Sequence, residues 1–340
     1  MGSAATRAVR TSATRPGPEP VPAPRPARGH VVLLFLDGVG LGEPDPAINP
    51  LAAVATPVLD GLIGARADIF ALARQAGDVV FRPVDATLGH EGLPQSATGQ
   101  TAILTGLNGA DIMDRHYGPW PGPTLVKVLQ QGTLFHAGEA ADGAALANTF
   151  PPGYFASLGQ RRRRPNAPVV AARAAGLALR GLEEYQAGTA VAPDLDGSGL
   201  ARLQDSVRAG LLPTGVAGTA ATLARLADRY SFTFVDVWVT DHYGHARDVA
   251  GARRFLATLD ALLDLLVHDA AGPVAAGATL VITSDHGNLE DLSVKGHTRN
   301  LVPLLAVGPG AAEFSGADSL LDLAPAVRRV MADAGSPVSG

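Results

Sequence analysis

The sequence predicts an α/β protein: a doubly wound, mostly parallel sheet with helices on both faces and a small inserted cap. Three observations predict it. Short apolar runs rich in β-branched residues recur along the chain, as expected of strands covered on both faces. Segments with helical spacing alternate with them. Three of the strand-like runs end on an aspartate, and open α/β sheets bind ligands beyond the carboxyl ends of their strands.

Residues 1–29 are rich in Pro, Ala and Arg and contain no apolar stretch of the kind a cleaved secretory signal needs. They read as a disordered tail. "HVVLLFLD" then reads as a buried strand ending at Asp37, and "DVVFRPVDA" as a second strand. "SATGQTAILTGLNG" reads as a Ser-capped helix closed by Gly106. "FTFVDVWVTD" is a strand ending at Asp241, and "DVAGARRFLATLDALLDLLVHDA" a long helix opened by an aspartate. "ATLVITSD", ending at Asp285, and "LVPLLAVG" complete the strands. Between them, "GPWPGP", "FPPGYF", "RRRRPNAP" and "PDLDGSG" give little strand pattern. The expected organisation is therefore a tail over 1–29, a core formed by 30–109 and 221–335, and an inserted cap over 110–220 that governs substrate specificity.

Composition narrows the function. A net charge of −5 implies no nucleic-acid footprint. The absence of cysteine excludes disulfide scaffolds and thiolate metal sites, and suits a cytoplasmic protein. No run of about 18 apolar residues suggests a membrane span.

The polar residues that punctuate the core carry the chemistry. Asp241 and His245 stand in "TDHYGHARD" with D-x-x-x-H spacing, Asp285 and His286 are adjacent, and His297 returns after a loop. With Asp37 this makes three carboxylates and three imidazoles, a mixed O/N donor set suited to Zn²⁺, Mn²⁺ or a similar ion. One aspartate after a strand is commonplace as a cap or turn former; three, two of them with histidines, point to a metal site. His242 is expected to be structural or to support its neighbours, and His90, His116 and His136 to be satisfied or solvated. Ser96 has two readings, a plain helix cap or a nucleophile at a helix N-terminus that attracts phosphate. No G-x-S-x-G elbow occurs near it. "DGVGLG" is no dinucleotide fingerprint, because its glycines are at Gly38, Gly40 and Gly42, and Pro44, Pro46 and Pro50 forbid an immediate helix.

Taken together, "LLFLDGVGLG", "NPLAAVATPVLDGL", "PQSATGQTAILTG", "DHYGH" and "SDHGN…GHTRNLVP" resemble ordered motifs of the alkaline phosphatase superfamily. The resemblance is nearest to its metalloenzyme branch of cofactor-independent phosphoglycerate mutase and phosphopentomutase. It covers both ends of the core and leaves 110–220 aside. It implies two divalent ions, Mn²⁺ or Zn²⁺ with Mg²⁺ the third candidate. One would be held by Asp37, Ser96, Asp285 and His286, the other by Asp241, His245 and His297. It implies in-line attack by Ser96 on a small phosphorylated metabolite, with a phosphoserine intermediate, in a phosphomutase or phosphatase. The branch's mutases usually carry a His or Asn near the nucleophile, where this chain has Gly99 and Gln100. Alternatives are a phosphodiesterase on the same scaffold and a non-catalytic metal-stabilised binding protein. A sulfatase is disfavoured, because "SATGQ" lacks the Pro and Arg of that motif. Arg161, Arg162, Arg163 and Arg164, and separately Arg115, are candidates for binding a substrate phosphate or carboxylate; for the former a solvated basic loop is the favoured reading.

Overall fold

A computed structural model describes residues 29–158, 164–203, 207–208 and 210–332. The tail expected over 1–29 therefore lies, apart from Gly29, outside the described residues, as do Arg161, Arg162 and Arg163. Seven strands form one sheet: β1 Val31–Leu36, β2 Arg74–Ala76, β3 Val79–Val84, β4 Ala144–Leu146, β5 Phe232–Val237, β6 Thr279–Thr283 and β7 Val302–Val307. Their spatial order is β2-β3-β7-β6-β1-β5-β4. β4, β5, β1 and β6 pair in parallel. β7 pairs antiparallel with both β6 and β3, and β2 antiparallel with β3. The five expected strands are present. β2 and β4 were not expected, and each is only three residues long.

Alternation along β1 explains why every residue of that strand is apolar and buried. Val32, Leu34 and Leu36 join one core layer with Val235, Val237, Leu280 and Ile282. The helices Gly215–Arg229 and Val249–Val267 cover that layer, supplying Leu223, Leu226, Leu256 and Leu259. Val31, Leu33 and Phe35 face the other way, with Phe232, Phe234 and Val281. Burying each such side chain contributes roughly 1.5–3 kcal/mol before entropy is counted, so both faces must be covered for the strand to persist.

The second layer revises the expected cap. β4 pairs in parallel with β5, in register Leu146 to Phe234. The helices Pro123–Gln131, Leu134–Glu139 and Ala167–Ala174 place Leu129, Leu134, Phe135, Val169 and Ala171 in the same cluster as Phe35 and Phe234. Much of 110–220 is thus core. Its strand "AAL" is too short and its helices too often broken by Gly and Pro to show a period. Among the described residues of this segment, Tyr185, Ala190, Ala192, Leu200 and Leu211 form a separate small cluster.

Two further expectations change. β5 stops at Val237, and Asp241 lies instead in the first turn of a helix, Val239–Ala246. Trp238 has helical backbone angles (φ −72°, ψ −13°), so the chain turns before the aspartate is reached. Ser96 is the first residue of the helix Ser96–Thr105 rather than its cap; Gln95 takes the cap position without a side-chain bond. The Gly106 stop is as expected, left-handed at φ 79°. So is the Asp248 cap of the long helix, which accepts from the Gly251 amide at 2.8 Å.

Candidate active site

The carboxyl ends of β1, β5 and β6 lie side by side, because these strands are parallel and adjacent. β7 runs the opposite way, so its amino end, preceded by His297, reaches the same edge. Chain direction alone thus brings Asp37, Asp285, His286 and His297 together, while the helix after β5 adds Asp241 and His245.

An inner group is built from strand ends. Asp285 and His286 are fully buried and Asp37 nearly so. His286 Nε2 lies 3.4 Å from Asp37 Oδ1 and 3.6 Å from Asp285 Oδ1. Ser96 Oγ is 3.0 Å from the same nitrogen. The Ser96 hydroxyl is free to face the group because it does not cap its helix. Gln100, one turn further on, donates to Asp285 Oδ2 at 3.0 Å and to Asp37 Oδ2 at 3.3 Å. The helix approaches closely because of Gly99: a Cβ there would sit 2.8 Å from the Asp285 carbonyl oxygen. Gly38 serves the loop after β1, where φ is +67° and a Cβ would meet Asp241 Oδ1 at 2.7 Å.

An outer group stands beside it. Asp241 Oδ2 is 3.3 Å from His245 Nε2, one helical turn away, and Asp241 Oδ1 is 3.7 Å from His297 Nε2. His297 Nδ1 donates to the Pro94 carbonyl at 2.7 Å, which fixes its tautomer and leaves Nε2 as the free donor atom. Asn288 Nδ2 donates to Asp241 Oδ1 at 2.6 Å. The His286 and His297 rings stack at 3.7 Å, so the two groups share a wall.

Electrostatics shows what the inner group lacks. Burial, followed by the charges of Asp285 and Asp241, holds the Asp37 carboxyl well above its ordinary range. Burial and then Asp241 do the same to Asp285. Burial and the neighbouring His297 push His286 well below the usual imidazole range, and burial lowers His297. Among the described residues, no Lys or Arg forms an ion pair with Asp37, Asp241 or Asp285, and the buried Asp37 Oδ1 has no hydrogen-bond partner. Unpaired buried carboxylates facing neutral imidazoles fit a bound cation. Asp241, His245 and His297 bring ligand atoms within 4.8 Å of one another, and so do Asp37, Asp241 and His286.

Both groups open into a cleft of about 1000 Å³ that is also lined by Trp120, Asn148, Asn166, Asp236, His242 and Arg164. Of the candidate arginines, Arg164 therefore reaches the cleft. Arg115 does not; it lines a separate pocket with Glu91, Gln95 and His116, and its guanidinium lies over the Tyr117 ring. His90 is paired with Asp111 at 2.6 Å, and His136 completes a capping box with Thr133, as expected of satisfied histidines. His116 departs from that expectation, since both ring nitrogens are buried without a partner.

Four participants were missed in the sequence. Gln100 was readable as Ser96 plus one helical turn. Asn288 and Glu290 stand directly after the Asp-His pair, within a loop that looked merely polar. Glu290 is fully buried, accepting from the Gly40 amide at 2.9 Å, the Asn288 amide at 2.7 Å, Asn300 Nδ2 at 3.0 Å and the Thr298 hydroxyl. Asp236, inside an apolar strand, carried no motif. Burial raises its carboxyl to about 6.

Residues 214–332 match the family model described as the metalloenzyme superfamily. The matched segment holds Asp241, His245, Asp285, His286 and His297, every imidazole of the two groups described above. A phosphopentomutase from Chelativorans sp. (strain BNC1) is 41% identical over 92 residues, covering 27% of this chain and 21% of that protein. A 2,3-bisphosphoglycerate-independent phosphoglycerate mutase from Moorella thermoacetica is 34% identical over 122 residues, covering 33% and 23%. The chain spans about a fifth of the length of the curated relatives it matches. Alkaline phosphatase from the Antarctic bacterium TAB5 superposes with a TM-score of 0.50 at 13% identity, over 90% of this chain and 98% of that one. The chain thus has an alkaline-phosphatase-like fold. No helix among its described residues is long and apolar enough to cross a membrane.

Proposed function

We propose that the protein transfers a phosphoryl group from a small phosphate monoester through a phosphoserine on Ser96, as a phosphomutase or phosphatase. One observation carries the reading: a buried serine hydroxyl at the start of a helix, 3.0 Å from His286, on the floor of a cleft that both ligand groups share. In this reading Asp37, Ser96, Asp285 and His286 hold one divalent ion, and Asp241, His245 and His297 hold the other. The nitrogen donors favour Mn²⁺ or Zn²⁺ over Mg²⁺. Bound ions would neutralise charge on the phosphoryl oxygens and lower the pKa of the serine hydroxyl.

The chain's own residues do the rest. The amino end of the Ser96–Thr105 helix favours an anion beside Ser96. Gln100 holds Asp37 and Asp285 apart by bonding both, so Ser96 faces the cleft with a fixed set of neighbours. Ser96 Oγ gives its proton to solvent, which returns one to the leaving oxygen, and forms a bond to phosphorus opposite the ester oxygen. The phosphorus–oxygen ester bond breaks, its electron pair leaves with the alcohol oxygen, and that oxygen takes up a proton. Water, or a second hydroxyl of the same molecule, then displaces Ser96 by the reverse steps, giving phosphatase or mutase activity. Arg164, at the rim of the cleft, is suited to a second anionic group on the substrate. A phosphorylated metabolite and an enzyme without cysteine suit the cytoplasm.

The test is intact-mass measurement after incubation with Mn²⁺ and a panel of sugar phosphates and phosphoglycerates. A single phosphate adduct is expected on the wild type and none on Ser96→Ala, whose turnover falls more than about 10³-fold. Undiminished turnover by Ser96→Ala would refute the nucleophile assignment. Bound metal with no adduct and no turnover of any ester would favour a metal-stabilised binding protein.

A further inference from the structure

Asp236 is a carboxylate where the fold asks for an apolar side chain. It follows Phe232 and Phe234 on one face of β5, and both phenylalanines lie in the core layer that also contains Phe35. Asp236 pairs in register with Phe35 on β1 and is 3% exposed. Its backbone is held at both polar atoms by Asn148, whose Nδ2 donates to the Asp236 carbonyl at 2.8 Å and whose Oδ1 accepts from its amide at 2.7 Å. The strand end therefore does not need the side chain for its hydrogen bonding. That side chain has one donor, Asn166 Nδ2, at 2.7 Å from Oδ2. Asn166 is itself fixed, because its Oδ1 caps the Ala167–Ala174 helix by accepting from the Val169 amide. Oδ1 of Asp236 has no partner, and no cation pairs with it among the described residues.

Asp236, Asn148 and Asn166 line the same cleft as Ser96 and Asp37. A buried, oriented carboxylate oxygen with no donor is expensive unless a ligand supplies one. The donor is a neutral hydroxyl, for two reasons. Another carboxylate or phosphate would be repelled. A cation would need further ligands, yet no group of three metal-capable side chains among the described residues includes Asp236. We propose that Asp236, oriented by Asn166, accepts a hydrogen bond from a hydroxyl on the alcohol portion of the substrate, and so selects hydroxyl-bearing phosphate esters. The proposal rests on the phosphoryl-transfer reading above.

The test compares wild type, Asp236→Asn and Asn166→Leu on a pentose phosphate, on glycerol phosphate and on para-nitrophenyl phosphate, which carries no hydroxyl. Asp236→Asn keeps the shape but turns a donor toward the ligand. For the two hydroxylated esters kcat/KM should fall roughly 10- to 100-fold, the range for a lost hydrogen bond to a charged group. For the plain ester it should change less than about threefold, with bound metal unaltered. Asn166→Leu should give the same selective loss at smaller size. An equal loss on all three esters, no loss on any, or a fall in metal content by elemental analysis overturns the proposal. Wild-type protein that turns over none of the esters removes the phosphoryl-transfer reading itself, and this proposal with it.

Discussion

The two ligand groups share a wall but are made differently. The inner group comes from strand ends and is sealed: the His286 and Asp285 side chains are 0% exposed. The outer group comes from a helix and a loop and meets solvent, with the His245 side chain 47% exposed. Burial makes the inner carboxylates a standing charge problem that a cation would relieve. Partial exposure lets water screen the outer group, so its ion, in the proposed reading, can exchange and meet substrate directly. One group is set by the rigid sheet, the other by packing of a helix against a loop.

Removing one member of each group would break or sharpen that contrast. Asp285→Asn should lower turnover more than about 100-fold and eliminate the inner ion, because a neutral amide both removes a charge and competes with Gln100 for its bonding position. His245→Ala should eliminate the outer ion and leave the inner one in place. Elemental analysis of the two purified variants reads this out. Loss of both ions from either variant would mean that the groups act as a single site and the contrast is false.

Glu290 is where the two groups are tied together. It bonds the Gly40 amide on the loop after β1 and the Thr298 and Asn300 side chains beside His297. Glu290→Gln can accept at only one oxygen, leaving at least one buried donor without a partner. Metal affinity should fall roughly 10- to 100-fold, as for other groups that orient ligands. Stability should fall by about 1–3 kcal/mol, measurable by urea denaturation. A stable variant that binds both ions normally would mean the two loops hold their positions without it.

What was legible in the sequence follows the same division. Asp37, Asp285, His286 and His297 could be read because buried strands are continuous apolar runs, so the polar residues at their ends stand out. Asp241 and His245 were readable from their spacing, but the strand was drawn four residues too long, because Trp238, Val239 and Thr240 are as apolar or β-branched as a strand requires. The helix begins there through backbone angles that no single residue announces. Gln100 and Glu290 were hidden for a different reason: their bonds join segments far apart in sequence, and a polar residue in a loop or on a helix is ordinary. The sheet role of residues 144–146 was invisible since an Ala-Ala-Leu edge strand carries no period. The packing of part of 110–220 into the sheet's second layer was hidden on the same ground.

The smallest expected effect is on the metal-free protein, where the inner group's charge problem becomes a dependence of stability on pH. Asp37 and Asp285 have folded-state pKa values raised above 3.8, so their stabilising contribution is complete below that value and is lost as pH rises through the raised values. Asp236 behaves alike, losing its contribution between 3.8 and about 6. His286 and His297 act in the opposite sense. Their folded values lie below 6.5, so they destabilise the fold in acid and that penalty is gone above 6.5. Chelator-treated protein should therefore lose Tm as pH rises through the raised carboxylate values, measured by thermal unfolding across a pH series. Saturating Mn²⁺ should flatten that slope, because ionised carboxylates are then the form that binds. Asp285→Asn should flatten it without metal, by removing one of the repelling charges. His245→Ala should change it little, since Asp241 and not His245 is the outer residue whose charge raises the inner carboxylates. A metal-free Tm that shows no fall with rising pH would mean that burial of the inner carboxylates is relieved by something other than a cation.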